Sequence, residues 1–160
     1  YNAANYGEVL QEYSEVAFLI SEYNNWSQAD YEKAVRASLE KWGVPAADVN
    51  TYIAALPSAG EQSVLNQKYI ALFTQFLEGW SEYRRTGYPN FLIKKDDVVF
   101  SGTIEGAPVT YTFSPLFGNG GVPARLYYPV KEQTVNKASY QAAIAAQGND
   151  VIETDLWIFE

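Results

Sequence analysis

A run of apolar and aromatic residues at helical spacing most constrains what this 160-residue chain can fold into. The run recurs on one helical face over five turns and consists of Leu65, Tyr69, Leu72, Phe73, Phe76, Trp80 and Tyr83. Gly87 and Pro89 follow it; Gly closes a helix in the left-handed conformation, and Pro cannot continue one. The pattern predicts a helix over about 61–85 whose aromatic face packs against other helices.

Four further segments carry helical periodicity and end signals. They predict helices over about 6–24, 28–42, 46–56 and 136–147. Ser27 and Asp30 form a capping-box-like start of the second helix, and Gly43 with Pro45 just beyond ends it. Because the first two helices are joined by so short a turn, they are expected to pack as an antiparallel helical hairpin.

The residue pattern changes from helical periodicity to strand-like runs after Pro89. Two β-branched and aromatic runs separated by a turn predict a β-hairpin over about 98–113. No repeat of fixed period and no low-complexity linker divides the chain. Residues 1–160 are therefore predicted to form a single unit, mainly α with a small β-hairpin and long loops.

The residue types that are missing exclude several kinds of chemistry. With no His and no Cys, the chain lacks the residues for a Ser-His-Asp or Cys-His centre, a thiolate zinc site or a disulfide, and no cofactor is expected. Paired carboxylates remain for a glycosidase-like site, and the candidates are Asp96, Asp97, Glu132, Glu153 and Asp155. A net charge of −8 disfavours nucleic acid and anionic membrane surfaces, whereas it suits a neutral ligand.

Aromatic side chains are the other resource for a binding site, since flat rings suit ringed, hydroxylated ligands such as sugars. Most are expected in the core, including those on the helix faces: Tyr13, Trp42, Tyr69, Phe73, Phe76 and Trp80. Four rings fall in predicted turns and are the candidate ligand-binding residues: Trp26, Tyr88, Phe91 and Phe117. A structural role for each of these four is the competing interpretation.

Charged residues near the end of the predicted fourth helix have structural interpretations. Arg84 and Arg85 suit the carbonyl end of the helix, and one of them is expected to form a forked pair with a carboxylate. Glu78 and Glu82, spaced i, i+4, are predicted to be surface charges.

Several segments resemble, in order, the SusD/RagB-like nutrient-binding outer-membrane lipoproteins. The densest match is Gln67 to Phe73 followed by Glu78 to Pro89. Further matching segments are Tyr13 to Ile20 with Val35 to Ser38, Pro123 to Pro129 with Glu132 and Asn136, and Thr154 to Trp157. The resemblance implies a helical-hairpin, tetratricopeptide-like SusD-type fold, of which this chain is the C-terminal portion.

The same resemblance implies a function without catalysis. It implies a cell-surface protein, held on the outer membrane by an upstream lipid anchor, that binds oligosaccharides and delivers them to a TonB-dependent SusC-like transporter. It assigns no ligand-binding residue. Two alternatives stay open: capture of oligopeptides rather than glycans, and a helical-repeat module that binds only protein.

Overall fold

The computed structural model of the chain describes residues 9–116, 118 and 121–159. Contacts between Cα atoms group the chain into two compact units, Tyr1–Phe91 and Leu92–Glu160, each of which is described by itself. The helices described in the first unit are α1 (Tyr13–Tyr23), α2 (Gln28–Lys41), α3 (Ala46–Ala54), α4 (Glu61–Ala71) and α5 (Phe76–Thr86).

The predicted hairpin of α1 and α2 is confirmed, and its turn is held by hydrogen bonds. The Ser27 hydroxyl accepts from the Asp30 N–H at 3.3 Å, which is the predicted cap of α2. The buried Ser21 hydroxyl donates to the Ser27 carbonyl at 2.9 Å. These bonds satisfy polar groups that the sharp reversal of the chain would otherwise leave unpaired.

The core of the first unit lies where α1 and α2 meet α4. Phe18 and Tyr31 are its largest members, with ring centroids 6.5 Å apart. The buried cluster consists of Ala17, Phe18, Tyr31, Ala34, Val35, Val64 and Ala71. Partly buried side chains from the α1–α2 turn, α2 and the α3 region, among them Trp26, Leu39 and Ile53, pack around it.

The prediction of one helix over 61–85 is wrong, because the chain breaks between Leu72 and Gln75. The Gln75 N–H donates to the Leu72 carbonyl at 2.8 Å, which closes a turn between α4 and α5. Phe73 and the β-branched Thr74 are weak helix formers, so interrupting the helix at these residues costs little helix-forming free energy. The reversal brings α5 back onto α4, where a Cβ on Gly79 would lie only 3.6 Å from the Tyr69 ring.

The prediction that the aromatic face of this helix is buried is also wrong for several of its residues. Phe73 is 66% exposed and Phe76 is 78% exposed, because the turn carries both rings out of the interior. Tyr13 and Trp42, also expected in the core, are exposed as well. The first helix begins at Tyr13 rather than near residue 6; residues 6–8 lie outside the described part of the chain.

The second unit contains the predicted β-hairpin and two consecutive helices. Strands β1 (Val98–Ile104) and β2 (Ala107–Thr112) pair antiparallel through a tight turn at Glu105 and Gly106, both with positive φ. The predicted helix over 136–147 is preceded by a short one, giving α6 (Val130–Val135) and α7 (Lys137–Gln147). Asn136 makes no side-chain cap to α7; its amide instead donates to the Glu132 carboxylate at 2.9 Å.

The buried Asp150 carboxylate organises the loops of the second unit. It lies 3.3 Å from the Arg125 guanidinium and accepts hydrogen bonds from the Tyr128 N–H, at 3.1 Å, and the Tyr140 hydroxyl, at 3.3 Å. The Arg125 guanidinium stacks on the Tyr128 ring at 4.6 Å. Arg125 and Asp150 are both almost fully buried as side chains, so the pair fixes this fold rather than presenting charge to a ligand.

Candidate functional site

Two amide side chains of α4 join this helix to neighbouring segments. The Gln67 amide donates to the Tyr52 hydroxyl on α3 at 2.7 Å. The neighbouring Asn66 amide donates to the side-chain oxygen of Asn90, in the segment after α5, at 3.2 Å. The other polar atom of the Asn66 amide, Oδ1, is buried with no hydrogen-bond partner among the described residues.

An open cleft of about 520 Å³ lies at the start of α4. The residues that line it are Pro57, Ser58, Gly60, Glu61, Gln62, Ser63 and Asn66. The Ser63 hydroxyl donates to the Ser58 carbonyl at 2.9 Å, which fixes the loop that forms one wall. The walls therefore present hydroxyl, amide and carboxylate groups, together with the aliphatic edge of a proline.

Phe91 is the predicted ligand-binding residue that the structure places against α4. Its ring is 54% exposed and meets the Tyr69 ring edge-on, with centroids 6.4 Å apart and planes at 77°. Tyr69 follows Asn66 by one helical turn on α4, and Asn90 directly precedes Phe91. The exposed Phe91 ring and the Asn66–Asn90 amide pair therefore lie along one edge of α4, and Asn66 also lines the cleft.

The other three predicted ligand-binding residues have different settings. Trp26 is half-buried, has a positive φ of 63°, and packs against the core cluster at the α1–α2 turn. Tyr88 is half-buried, and its N–H donates to the Thr86 hydroxyl at 3.2 Å. Phe117 lies outside the described residues.

Arg85 forms the forked pair that the sequence predicts. Its guanidinium donates to both carboxylate oxygens of Glu22 on α1, at 2.7 and 2.8 Å, and to Glu82 at 2.6 Å. Gly87 then ends α5 with a φ of 74°, and its N–H donates to the Tyr83 carbonyl at 2.7 Å. The arginine–glycine end of the motif therefore ties α5 to α1, in agreement with a structural role.

Glu82 is not the surface charge that its spacing from Glu78 predicts. It is 8% exposed and lies 3.0 Å from the ammonium of Lys68, which is itself 2% exposed. Burial raises the pKa of Glu82, but the hydrogen bond from Arg85 and the charge of Lys68 outweigh burial and leave the pKa below its ordinary value. A partly buried neighbour, Glu15, has a raised pKa because of burial and the negative charge of Glu78.

The carboxylates considered for a glycosidase-like pair serve local structure where their partners are described. The Asp97 carboxylate accepts from the Lys94 N–H at 2.7 Å at the base of the β-hairpin, and Glu132 accepts from Asn136. Within residues 9–116, 118 and 121–159, no cluster of acidic groups could hold a metal ion. Over the same residues, no helix is both long and apolar enough to cross a membrane.

The sequence over residues 2–109 matches the SusD-like_2 family, described as "Starch-binding associating with outer membrane". The chain belongs to this SusD-like family, which confirms the resemblance found in the sequence. None of the curated proteins matches it.

Two solved structures share the fold. One is a Bacteroidetes SusD-like protein, AC2a, with 26% identity and a TM-score of 0.71 over 95% of this chain and 30% of its own. Another is a chitin-binding protein, with 26% identity and a TM-score of 0.68 over 92% of this chain and 32% of its own. The chain thus spans about a third of the length of the structures that it resembles, and the predicted helical SusD-type fold is confirmed.

Proposed function

We propose that the chain is the C-terminal part of a larger cell-surface protein that binds neutral oligosaccharides and performs no catalysis. Membership of a family described as starch-binding carries this proposal, and the likeness to a chitin-binding protein supports it. The net charge of −8 disfavours anionic ligands, and Phe91 offers an exposed ring of the kind on which sugars stack.

The proposed place in the cell follows from the same family. The parent protein would be held on the outer membrane by an upstream lipid anchor and would pass its ligand to a SusC-like, TonB-dependent transporter. The family description of association with the outer membrane supports the location. Co-purification of the tagged parent with such a transporter from detergent-solubilised membranes tests the partnership, and its consistent absence from the purified material would argue against it.

Binding itself is tested by isothermal titration of the full-length protein. The panel includes malto-oligosaccharides, chito-oligosaccharides, acidic oligosaccharides and short peptides. We expect heat of binding with at least one neutral oligosaccharide and none with the acidic ones. Binding of peptides alone would replace the glycan proposal with oligopeptide capture, and binding of nothing in the panel would contradict both.

The exposed apolar side chains around the α4–α5 turn favour a second candidate, a surface that binds protein. Ile70 and Leu77 are exposed beside Phe73 and Phe76, and large apolar groups gathered in this way mark interaction surfaces. A protein-binding module would lose a captured partner on Phe76→Asp but retain it on Phe91→Ala. The opposite pattern would favour the glycan-binding function.

A further inference from the structure

We propose that Asn66, Asn90 and Phe91, together with the cleft at the start of α4, form a subsite that binds one or two sugar units of a neutral saccharide. We call this surface the α4 subsite. The inference rests on the proposed function, and it adds the place of binding, the residues and the neutral ligand class. It stands on three separate observations: a braced ring, an unsatisfied amide and the chemistry of the cleft walls.

The Phe91 ring has the properties of a stacking platform. It is 54% exposed, yet the edge-on contact with Tyr69 restrains its orientation. Pro89, two residues earlier, is buried and anchors the backbone that carries the ring. A ring that is already oriented loses little conformational entropy when the apolar C–H face of a sugar covers it.

The Asn66 amide supplies the hydrogen-bonding half of the subsite. Its Nδ2 is engaged by Asn90, whereas Oδ1 is buried and lacks a partner among the described residues. A buried acceptor left in this state costs free energy, and because Asn66 lines the cleft, a rotation of its side chain that turns Oδ1 toward a ligand donor would supply the missing hydrogen bond. A sugar hydroxyl donates one hydrogen bond, and so does the N–H of an acetamido group, so both hydroxylated and N-acetylated sugars suit this atom.

The walls of the cleft select against charge. Among the described lining residues, Glu61 carries the only formal charge, and the remaining polar walls come from groups such as Gln62 and Ser63. A carboxylated or sulfated sugar would therefore meet a negative charge with no cation in the walls to compensate it. The volume of about 520 Å³ falls in the range of small-ligand sites and suits a saccharide of one or two units.

Phe91→Ala is the decisive variant, and Phe73→Ala is its matched control. Both phenylalanines are exposed, and both meet a second aromatic ring edge-on with centroids 6.4 Å apart, Phe91 with Tyr69 and Phe73 with Trp42. Titration of the full-length protein with chitotriose and maltotriose is the measurement. For whichever saccharide binds the wild-type protein, we expect Phe91→Ala to lower the affinity about tenfold. We expect Phe73→Ala to change it by less than about twofold.

A second variant keeps the test independent of the ring. Asn66→Leu removes the buried amide acceptor at similar size, and we expect it to lower the affinity for the same saccharide by about fivefold or more. The melting temperature of the variant is measured alongside to check that it folds. If the wild-type protein binds a neutral saccharide and both site variants bind it equally well, the α4 subsite is wrong while the proposed function stands. If the wild-type protein binds no saccharide, both fail.

Discussion

Removing the Glu82 carboxylate should cost far more stability than removing the carboxylate of Glu78, one turn earlier on the same helix. The reason is Lys68, whose ammonium lies 3.0 Å from Glu82 with only 3% of its side chain exposed. In Glu82→Ala this buried charge loses its partner, and breaking a buried pair from one side costs about 3–5 kcal/mol. Because Glu15 is close enough to sense the charge of Lys68, we expect a value of about 3 kcal/mol, toward the lower end.

Removing the charge of Lys68 should cost less stability than removing the carboxylate of Glu82, and this asymmetry is specific to the structure. In Lys68→Met the Glu82 carboxylate keeps two hydrogen bonds from Arg85, at 2.6 and 3.3 Å, so we expect a loss of about 1–2 kcal/mol. The double variant Lys68→Met with Glu82→Leu should recover part of the loss, since no buried charge is left unpaired.

Urea denaturation of the full-length protein, with the slope checked for constancy across variants, measures these differences. Glu78→Ala is the control, because Glu78 is exposed, and we expect it to change the free energy of unfolding by less than about 0.5 kcal/mol. The reasoning is refuted if Glu82→Ala and Glu78→Ala have the same effect, since the buried ion pair would then contribute nothing.

Three further substitutions or conditions test other parts of the fold. The lowered pKa of Glu82 predicts stability that is complete above about pH 4.5 and falls as pH drops further, and the denaturation midpoint of Glu82→Gln should vary less there. Burial disfavours the ionised form of Tyr31 and raises its pKa to about 12, so stability should fall as pH rises from about 10 to 12, and Tyr31→Phe should remove that loss. Because the buried hydroxyl has no described partner, Tyr31→Phe should also gain about 1 kcal/mol at pH 7. Gly87→Ala should cost about 1 kcal/mol from its φ of 74° alone, since nothing lies within 4 Å of the added methyl, and a melt unchanged by it would contradict the left-handed end of α5.

The sequence was sufficient to predict the structural features that depend on residues close together in the chain. The Ser27 cap, the glycine at the end of α5 and the β-hairpin depend on residues within a few positions of one another, and all are present. Helical periodicity alone could not reveal the break between α4 and α5. Apolar residues on both sides of Thr74 keep the same spacing, so the pattern predicts a continuous helix although tertiary packing favours a reversal.

The buried Lys68–Glu82 pair shows what that reversal achieves. In a continuous helix the two residues, 14 positions apart, would be separated by about 21 Å along the axis. In the folded chain their charged atoms are 3.0 Å apart. Charged residues at helical spacing are usually solvated, and no local signal marks the pair that a turn four residues long brings together.

The candidate site was partly predictable for a similar reason. Phe91 was recognisable because an aromatic ring just after a helix-ending proline falls in a loop, where binding residues concentrate. Asn66 and Asn90 carried no such signal, because an amide in a helix or turn is ordinarily a surface residue. Their hydrogen bond joins positions 24 apart, and only the three-dimensional path of the chain reveals it.

A crystal structure of the full-length protein, grown with a saturating chito-oligosaccharide or malto-oligosaccharide, tests the account most directly. It should show a sugar ring lying against the exposed face of Phe91, with one of its donors within hydrogen-bonding distance of Asn66 Oδ1. A saccharide bound elsewhere, with no contact to Phe91 or Asn66, would contradict the α4 subsite.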